Sequence, residues 1–254
     1  MGNSERIVHV ENLSVYYENN QAIKNVSFTA KAGQLIGIVG PNGAGKSTLV
    51  KAVMGLEKVR TGDVSIFGQS VSKVRDRISY VPQRSQIDWD FPVLVEDVVM
   101  MGRFAHIPWY LRPRKQDRKI VTKSLEKVGM TDYRKRQIGE LSGGQQQRVF
   151  IARALAQQAD LFFLDEPFVG IDVTSEKIII DLLRELREEG KTLFVVHHDL
   201  SKVEDYFDQL MLLNKQLIQF GDVQEVYKPN FLSETYQGSI TMFADNNHMT
   251  VVGN

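Results

Sequence analysis

Gly40-Pro41-Asn42-Gly43-Ala44-Gly45-Lys46-Ser47 satisfies the spacing G-x-x-x-x-G-K-[ST]. Glycines at this spacing let the backbone curl with its N–H groups turned inward. The lysine can then reach β- and γ-phosphate oxygens, and the serine hydroxyl can ligate Mg²⁺. The run follows a short apolar stretch, Leu35 to Gly40, and precedes a helical one, Thr48 to Met54, with Thr48 counted among the nucleotide contacts. Spacing and context together predict a cradle for a nucleotide phosphate. By themselves they leave GTPases, kinases and motors open.

Two carboxylates, Asp165 and Glu166, end the apolar run Leu161-Phe162-Phe163-Leu164. Open α/β sheets bind ligands at the carboxyl ends of their strands, so a lone strand cap is the weaker reading here. Asp165 can hold Mg²⁺ through water, and Glu166 can polarise an attacking water. A third element, Leu141-Ser142-Gly143-Gly144-Gln145, stands before an amphipathic stretch from Gln146 to Leu155. Its glycines permit close approach and its serine can donate to a phosphate.

LSGGQ followed by QQRVFIARAL closely resembles the signature segment of the ABC ATPase family, and the resemblance runs over nearly the whole chain. It implies ATP and Mg²⁺ as cofactors and a homodimer paired head to tail. Ser142, Gly143, Gly144 and Gln145 of one copy would bind the γ-phosphate held by the other. Gln83, in Tyr80-Val81-Pro82-Gln83, resembles the glutamine that senses Mg²⁺ and the γ-phosphate. His198, in His197-His198-Asp199, resembles the switch histidine, and strand alternation should turn His197 to the opposite face. Asp172 matches the aspartate that crosses the dimer interface, although Val169-Gly170-Ile171 departs from the commoner Ser-Ala-Leu form. Tyr17 is the choice for stacking on adenine, with Tyr16 its rival. The catalytic set is then Glu166, His198 and Gln83, and the metal set is Ser47, Gln83 and Asp165.

Hydrolysis serves motion in such a protein, so the resemblance implies a membrane permease and an external solute-binding protein. The subunit would lie peripherally on the cytoplasmic face of the cell membrane. The segment Asp88-Trp89-Asp90-Phe91-Pro92, with Val95 to Val99, looks like that of ATPases serving manganese and zinc uptake. The plain alternative is an aromatic pair packing a loop. Competing readings are a soluble ABC ATPase such as an iron-sulfur assembly subunit, and an ATP-gated module that does not hydrolyse. A DNA-repair ATPase would need a long coiled-coil insertion that the chain lacks.

Lysine plus arginine and aspartate plus glutamate both total 31 over 254 residues, so no global field selects nucleic acid. There is no cysteine, hence no disulfide or thiolate metal site. No apolar run approaches the ~18 residues of a spanning helix. Met1-Gly2 fits a myristoylation pattern loosely, and a plain flexible terminus is the favoured reading. Within Arg103 to Lys119, basic residues alternate with Trp109 and Tyr110, which is read as a solvated helix face beside the membrane partner.

The elements that must position these residues follow from periodicity. Alternation from Ile7 to Phe28, with a turn at Asn19 and Asn20, predicts an antiparallel opening piece. Leu35 to Gly40, Leu161 to Asp165 and Thr192 to His198 predict strands buried on both faces, separated by crossover helices. Val95 to Met101, Lys115 to Val128 and Gln145 to Leu155 have helical spacing. The fold class is therefore α/β: a phosphate-loop NTPase core with a mostly parallel sheet, an N-terminal antiparallel β subdomain and an inserted α-helical subdomain. The expected divisions are 1–86 with 159–222 as nucleotide-binding core, 87–158 as helical subdomain and 223–254 as C-terminal tail, preceded by a strand pair turning at Asn214 and Lys215.

Overall fold

The computed structural model describes residues 6–89, 91–237, 240–245 and 248–253, so Met1, Gly2 and Asp90 lie outside the described residues. The chain divides into two units, Met1–Arg75 with Thr192–Asn254, and Asp76–Lys191.

In the first unit, strands β1 (Arg6–Tyr17) and β2 (Asn20–Lys31) form an antiparallel hairpin. β4 (Val59–Ile66) and β5 (Gln69–Ser70) extend it in the order β2-β1-β4-β5. The hairpin turn is Glu18 and Asn19, one residue earlier than the sequence suggests. A two-residue hairpin loop needs positive φ, and Glu18 supplies it at 54°, leaving Asn20 free to open β2.

The same unit holds β3 (Leu35–Val39), buried along its whole length because it pairs in parallel on both edges. Its partners are β8 (Thr192–Val196) and β9 (Gln209–Asn214). β10 (Gln216–Asp222) pairs antiparallel with β9 around Lys215, whose φ is 57°. Helix α1 (Lys46–Val53) follows the strand-to-helix loop after β3 and packs on β1 and β2.

Beyond β10 the described residues form further regular elements. Helices follow β10 at Val223–Val226 and Pro229–Tyr236, and strands at Ile240–Asp245 and His248–Gly253 pair antiparallel. Asp222 caps the first helix and a proline opens the second, signals that lie in single residues rather than in a periodic pattern.

In the second unit β6 (Ile78–Val81) and β7 (Leu161–Asp165) pair in parallel. Helices α2 (Val95–Met101), α3 (Lys115–Lys127) and α4 (Gly143–Ala156) pack on one another. α4 begins two residues earlier than its periodicity indicates. Gly143, Gly144 and Gln145 form its first turn and Ser142 is the N-cap, where a serine outweighs the low helix propensity of the glycines. α5 (Val173–Glu188) turns Ile179, Ile180, Leu183 and Leu186 inward.

The base of the helical region is fixed by a buried ion pair. Arg103 Nε donates to Asp117 Oδ1 at 3.1 Å, and its Nη1 donates to the Ala156 carbonyl at 2.8 Å. Burial by itself would raise the Asp117 carboxyl. The Arg114 N–H and the Arg103 guanidinium outweigh burial and hold it below its ordinary value. We expect Arg103→Ala to cost about 3 kcal/mol of unfolding free energy at pH 7, because it strands a buried carboxylate. The depressed carboxyl stabilises fully above its unfolded value of about 4 and stops doing so as pH falls through the lower folded value. In urea titrations, the gap between variant and wild type should therefore close in strong acid.

Candidate functional site

The strand-to-helix loop lies in the first unit and is positioned from below by the β9–β10 hairpin. Lys215 N–H donates to the Ala44 carbonyl at 2.8 Å, and Lys24 N–H donates to the Lys215 carbonyl at 2.7 Å. A β-carbon on Gly40 would stand 2.0 Å from the Leu213 carbonyl oxygen, so only glycine fits there. Gly45 is the N-cap of α1 at φ 90°, and its β-carbon would meet the Ala22 carbonyl oxygen at 2.7 Å. Between these fixed points the chain turns tightly, with Ala44 N–H on the Pro41 carbonyl at 3.1 Å.

Lys46 is buried, and its Nζ donates to the Gly40 and Pro41 carbonyls at 2.7 and 3.0 Å. The ammonium therefore lies inside the curl. Ser47 follows it in the first turn of α1.

Tyr17 and Tyr16, adjacent on β1, separate clearly. Tyr16 is half-buried with the Arg60 guanidinium 4.7 Å above its ring. Tyr17 is 45% exposed, with the side chains of Thr48 and Glu57 near its hydroxyl. Partial burial first, then Glu57, pushes the Tyr17 phenol up. The two histidines after β8 differ as alternation requires: His197 is buried and His198 exposed. The aspartate that follows, Asp199, caps the next turn by accepting from Ser201 N–H at 3.0 Å.

The carboxylates lie in the second unit. Asp165, fully buried at the end of β7, accepts a long hydrogen bond of 3.4 Å from the Tyr80 hydroxyl. Burial and the Asp165 charge both push the Tyr80 phenol upward, so it stays a protonated donor. Glu166 has φ 51°, unusual for a non-glycine residue, and its Oε2 accepts from Gln83 Nε2 at 2.5 Å. Gln83 and Glu166, 83 positions apart, are thus brought into direct contact.

Sequence reasoning missed what fixes Gln83. The next residue, Arg84, donates to Gln146 Oε1 at 2.9 Å, while the Trp89 indole N–H donates to the Arg84 carbonyl at 3.0 Å. Trp89 then stacks edge-on against Phe150 of α4 at 5.2 Å. The loop after Gln83 is in this way bonded to the signature helix. Trp89 packs the loop, as the plain alternative held, whereas Phe91 is 59% exposed. No periodic signal pairs Arg84 with Gln146, so only the fold reveals it.

At the signature, Ser142 Oγ accepts from Gln145 N–H at 3.4 Å, and Gln145 Oε1 accepts from Ser142 N–H at 2.9 Å. This capping box leaves the Ser142 O–H proton available to donate. Asp172 caps α5, accepting from Ser175 N–H at 2.9 Å and Ser175 Oγ–H at 2.7 Å, bonds that hold its carboxyl low. A β-carbon on Gly144 would strike Ser175 Oγ at 2.2 Å, so the signature turn packs directly on the start of α5.

A glycine-rich curl between a buried strand and a helix, with carboxylates ending another buried strand, defines an α/β nucleoside-triphosphate-binding protein. The chain belongs to the ABC transporter family, which it matches over residues 23–169, and it is an ATPase whose partner is a membrane permease. It is 66% identical to the manganese transport system ATP-binding protein MntB of Halalkalibacterium halodurans, over 97% of this chain and 98% of that protein. It is 48% identical to the zinc transport system ATP-binding protein TroB of Treponema pallidum, over 92% and 88% of the two. An inward-facing putative metal-chelate type ABC transporter has a similar chain at TM-score 0.85 and 28% identity, with 98% and 97% covered.

Gly45→Ala forces a β-carbon onto left-handed backbone against a carbonyl. We expect it to weaken ATP binding roughly tenfold or more with helix content unchanged, read by nucleotide titration alongside far-ultraviolet circular dichroism.

Proposed function

We propose that this chain powers uptake of a divalent metal ion, manganese or zinc. It would work as a homodimer on the cytoplasmic face of the cell membrane with a permease and an external solute-binding protein. The observation that carries the cargo reading is 66% identity, along nearly the full length of both chains, to a manganese transport ATP-binding protein. Among the described residues no helix is long and apolar enough to cross a membrane.

ATP is taken by the 40–48 loop, with inward N–H groups on the phosphates and Tyr17 stacked on adenine. Lys46, seated beside the Gly40 and Pro41 carbonyls, donates to phosphate oxygens in charge-assisted hydrogen bonds. The donors Ser47, Gln83 and Asp165 offer only oxygen, and Asp165 is a fully buried carboxylate, a set that suits Mg²⁺. The ion, when bound, neutralises charge on the β- and γ-phosphates.

Glu166 orients the attacking water and draws its proton, and exposed His198 contacts the γ-phosphate. Gln83 gives up its 2.5 Å bond to Glu166 to serve the ion, which links nucleotide arrival to a change at the carboxylate. Ser142 donates its free O–H proton, with Gly143, Gly144 and Gln145, to the γ-phosphate held by the second copy. Asp172 and the exposed Val169 and Val173 beside it meet that copy. ATP joins the pair in this scheme and hydrolysis parts it.

Glu166→Gln keeps the shape and removes the base. Phosphate release should fall by ~10²-fold or more while ATP still binds and a dimer accumulates on size exclusion. A variant that hydrolyses ATP at the wild-type rate would remove Glu166 from this role. For the cargo, ATP hydrolysis by the subunit reconstituted with its permease and receptor should rise with Mn²⁺ or Zn²⁺. Equal rates with and without either metal would defeat the metal reading.

A further inference from the structure

The chain as a whole is neutral, yet one short stretch is strongly unbalanced. Between Phe104 and Leu125 stand six basic residues, Arg112, Arg114, Lys115, Arg118, Lys119 and Lys123, and one acid, Asp117. Asp117 is buried and taken by Arg103, whereas all six bases are exposed and none forms an ion pair among the described residues. Lys115, Arg118, Lys119 and Lys123 follow the helical i, i+3, i+4, i+8 spacing, so they line one side of α3, with buried Asp117 and Ser124 on the other.

An aromatic pair stands beside this cationic face. Leu111 N–H closes a turn on the Pro108 carbonyl at 2.8 Å, and Trp109 and Tyr110 occupy its two central positions. Trp109 is 95% exposed and Tyr110 70%, and their rings meet edge-on at 5.8 Å. The turn has a firm base, since Arg103 is anchored to Asp117 and Ala156, and His106 Nε2 lies 2.7 Å from the Gln157 carbonyl.

Exposing an indole costs solvation free energy, and exposed cations crowded along one short stretch repel one another. Both costs are relieved together at an anionic bilayer surface. There indole and phenol rings settle at headgroup depth, and each nearby lysine or arginine gains attraction. We propose that the 108–123 face is a contact for anionic lipid headgroups, with Trp109 and Tyr110 as the inserted wedge. The proposal rests on the reading that the subunit works at a membrane face, and goes beyond it by assigning the subunit its own lipid contact besides the permease.

The test is flotation of the purified full chain with vesicles of mixed phosphatidylglycerol and phosphatidylcholine, against pure phosphatidylcholine, at low and high salt. Wild type should float with the anionic vesicles at low salt only, and brominated acyl chains should quench its tryptophan emission. Replacing Arg112, Arg118 and Lys119 by glutamine should weaken partition roughly 100-fold. Trp109→Ala should abolish the quenching, because Trp89 is packed on Phe150. ATP hydrolysis and melting temperature should stay at wild-type values in both variants, which separates loss of the surface from loss of the fold. The proposal is overturned if wild type does not float on anionic vesicles, if the triple variant floats equally, or if flotation requires co-reconstituted permease, the last marking the face as a protein contact. Each of these results leaves the ATPase and metal-stimulation measurements, and so the proposed function, to stand or fall separately.

Discussion

The carbonyl oxygen of Leu213 stands where a β-carbon on residue 40 would have to lie, and that close approach of two main chains governs the phosphate loop. β3 must deliver its last residue against β9, the loop must begin with glycine, and the turn at Lys215 must reach far enough to hold Ala44. The loop's shape is therefore imposed by its neighbours before any ligand arrives, so little conformational entropy remains to be lost on binding. An ammonium already seated in the curl at Lys46 follows from the same geometry.

How much of this could be read from the residues differs by element. β3, β7 and β8 were legible because a strand buried on both faces has no polar positions to disguise it. The phosphate loop was legible because its chemistry is local. The turn at Glu18 was misplaced by one residue, since asparagine is the usual carrier of positive φ and here a glutamate adopts it. The helices after β10 were missed because short helices are set by caps and docking rather than by a stripe.

The site divides in the same way. Lys46, Asp165 and Glu166 announce themselves by type and spacing, but their partners do not. Tyr80, which keeps a proton against Asp165, and Arg84, which ties the loop after Gln83 to Gln146, are joined to the site by contacts of long sequence separation. Such pairs leave no period and no motif. Trp89 is the clearest instance: its packing on Phe150 makes it part of the support, a contact that its place in the sequence does not announce. Burial also separates His197 from His198, and the Arg60 guanidinium covers Tyr16 while Tyr17 stays exposed, differences that alternation along a strand makes legible only in part.

The cationic stretch beside Trp109 has a further physical meaning. From Arg103 to Lys123 there are seven bases and one acid, leaving 24 bases against 30 acids for all other positions. A body with zero net charge feels no net pull in a uniform field, but charge separated in this way gives it a permanent dipole and hence a torque. Close to a negatively charged sheet it would be rotated before it was bound, basic side foremost. Orientation would then precede contact, and the search for a productive pose would be over two dimensions rather than three.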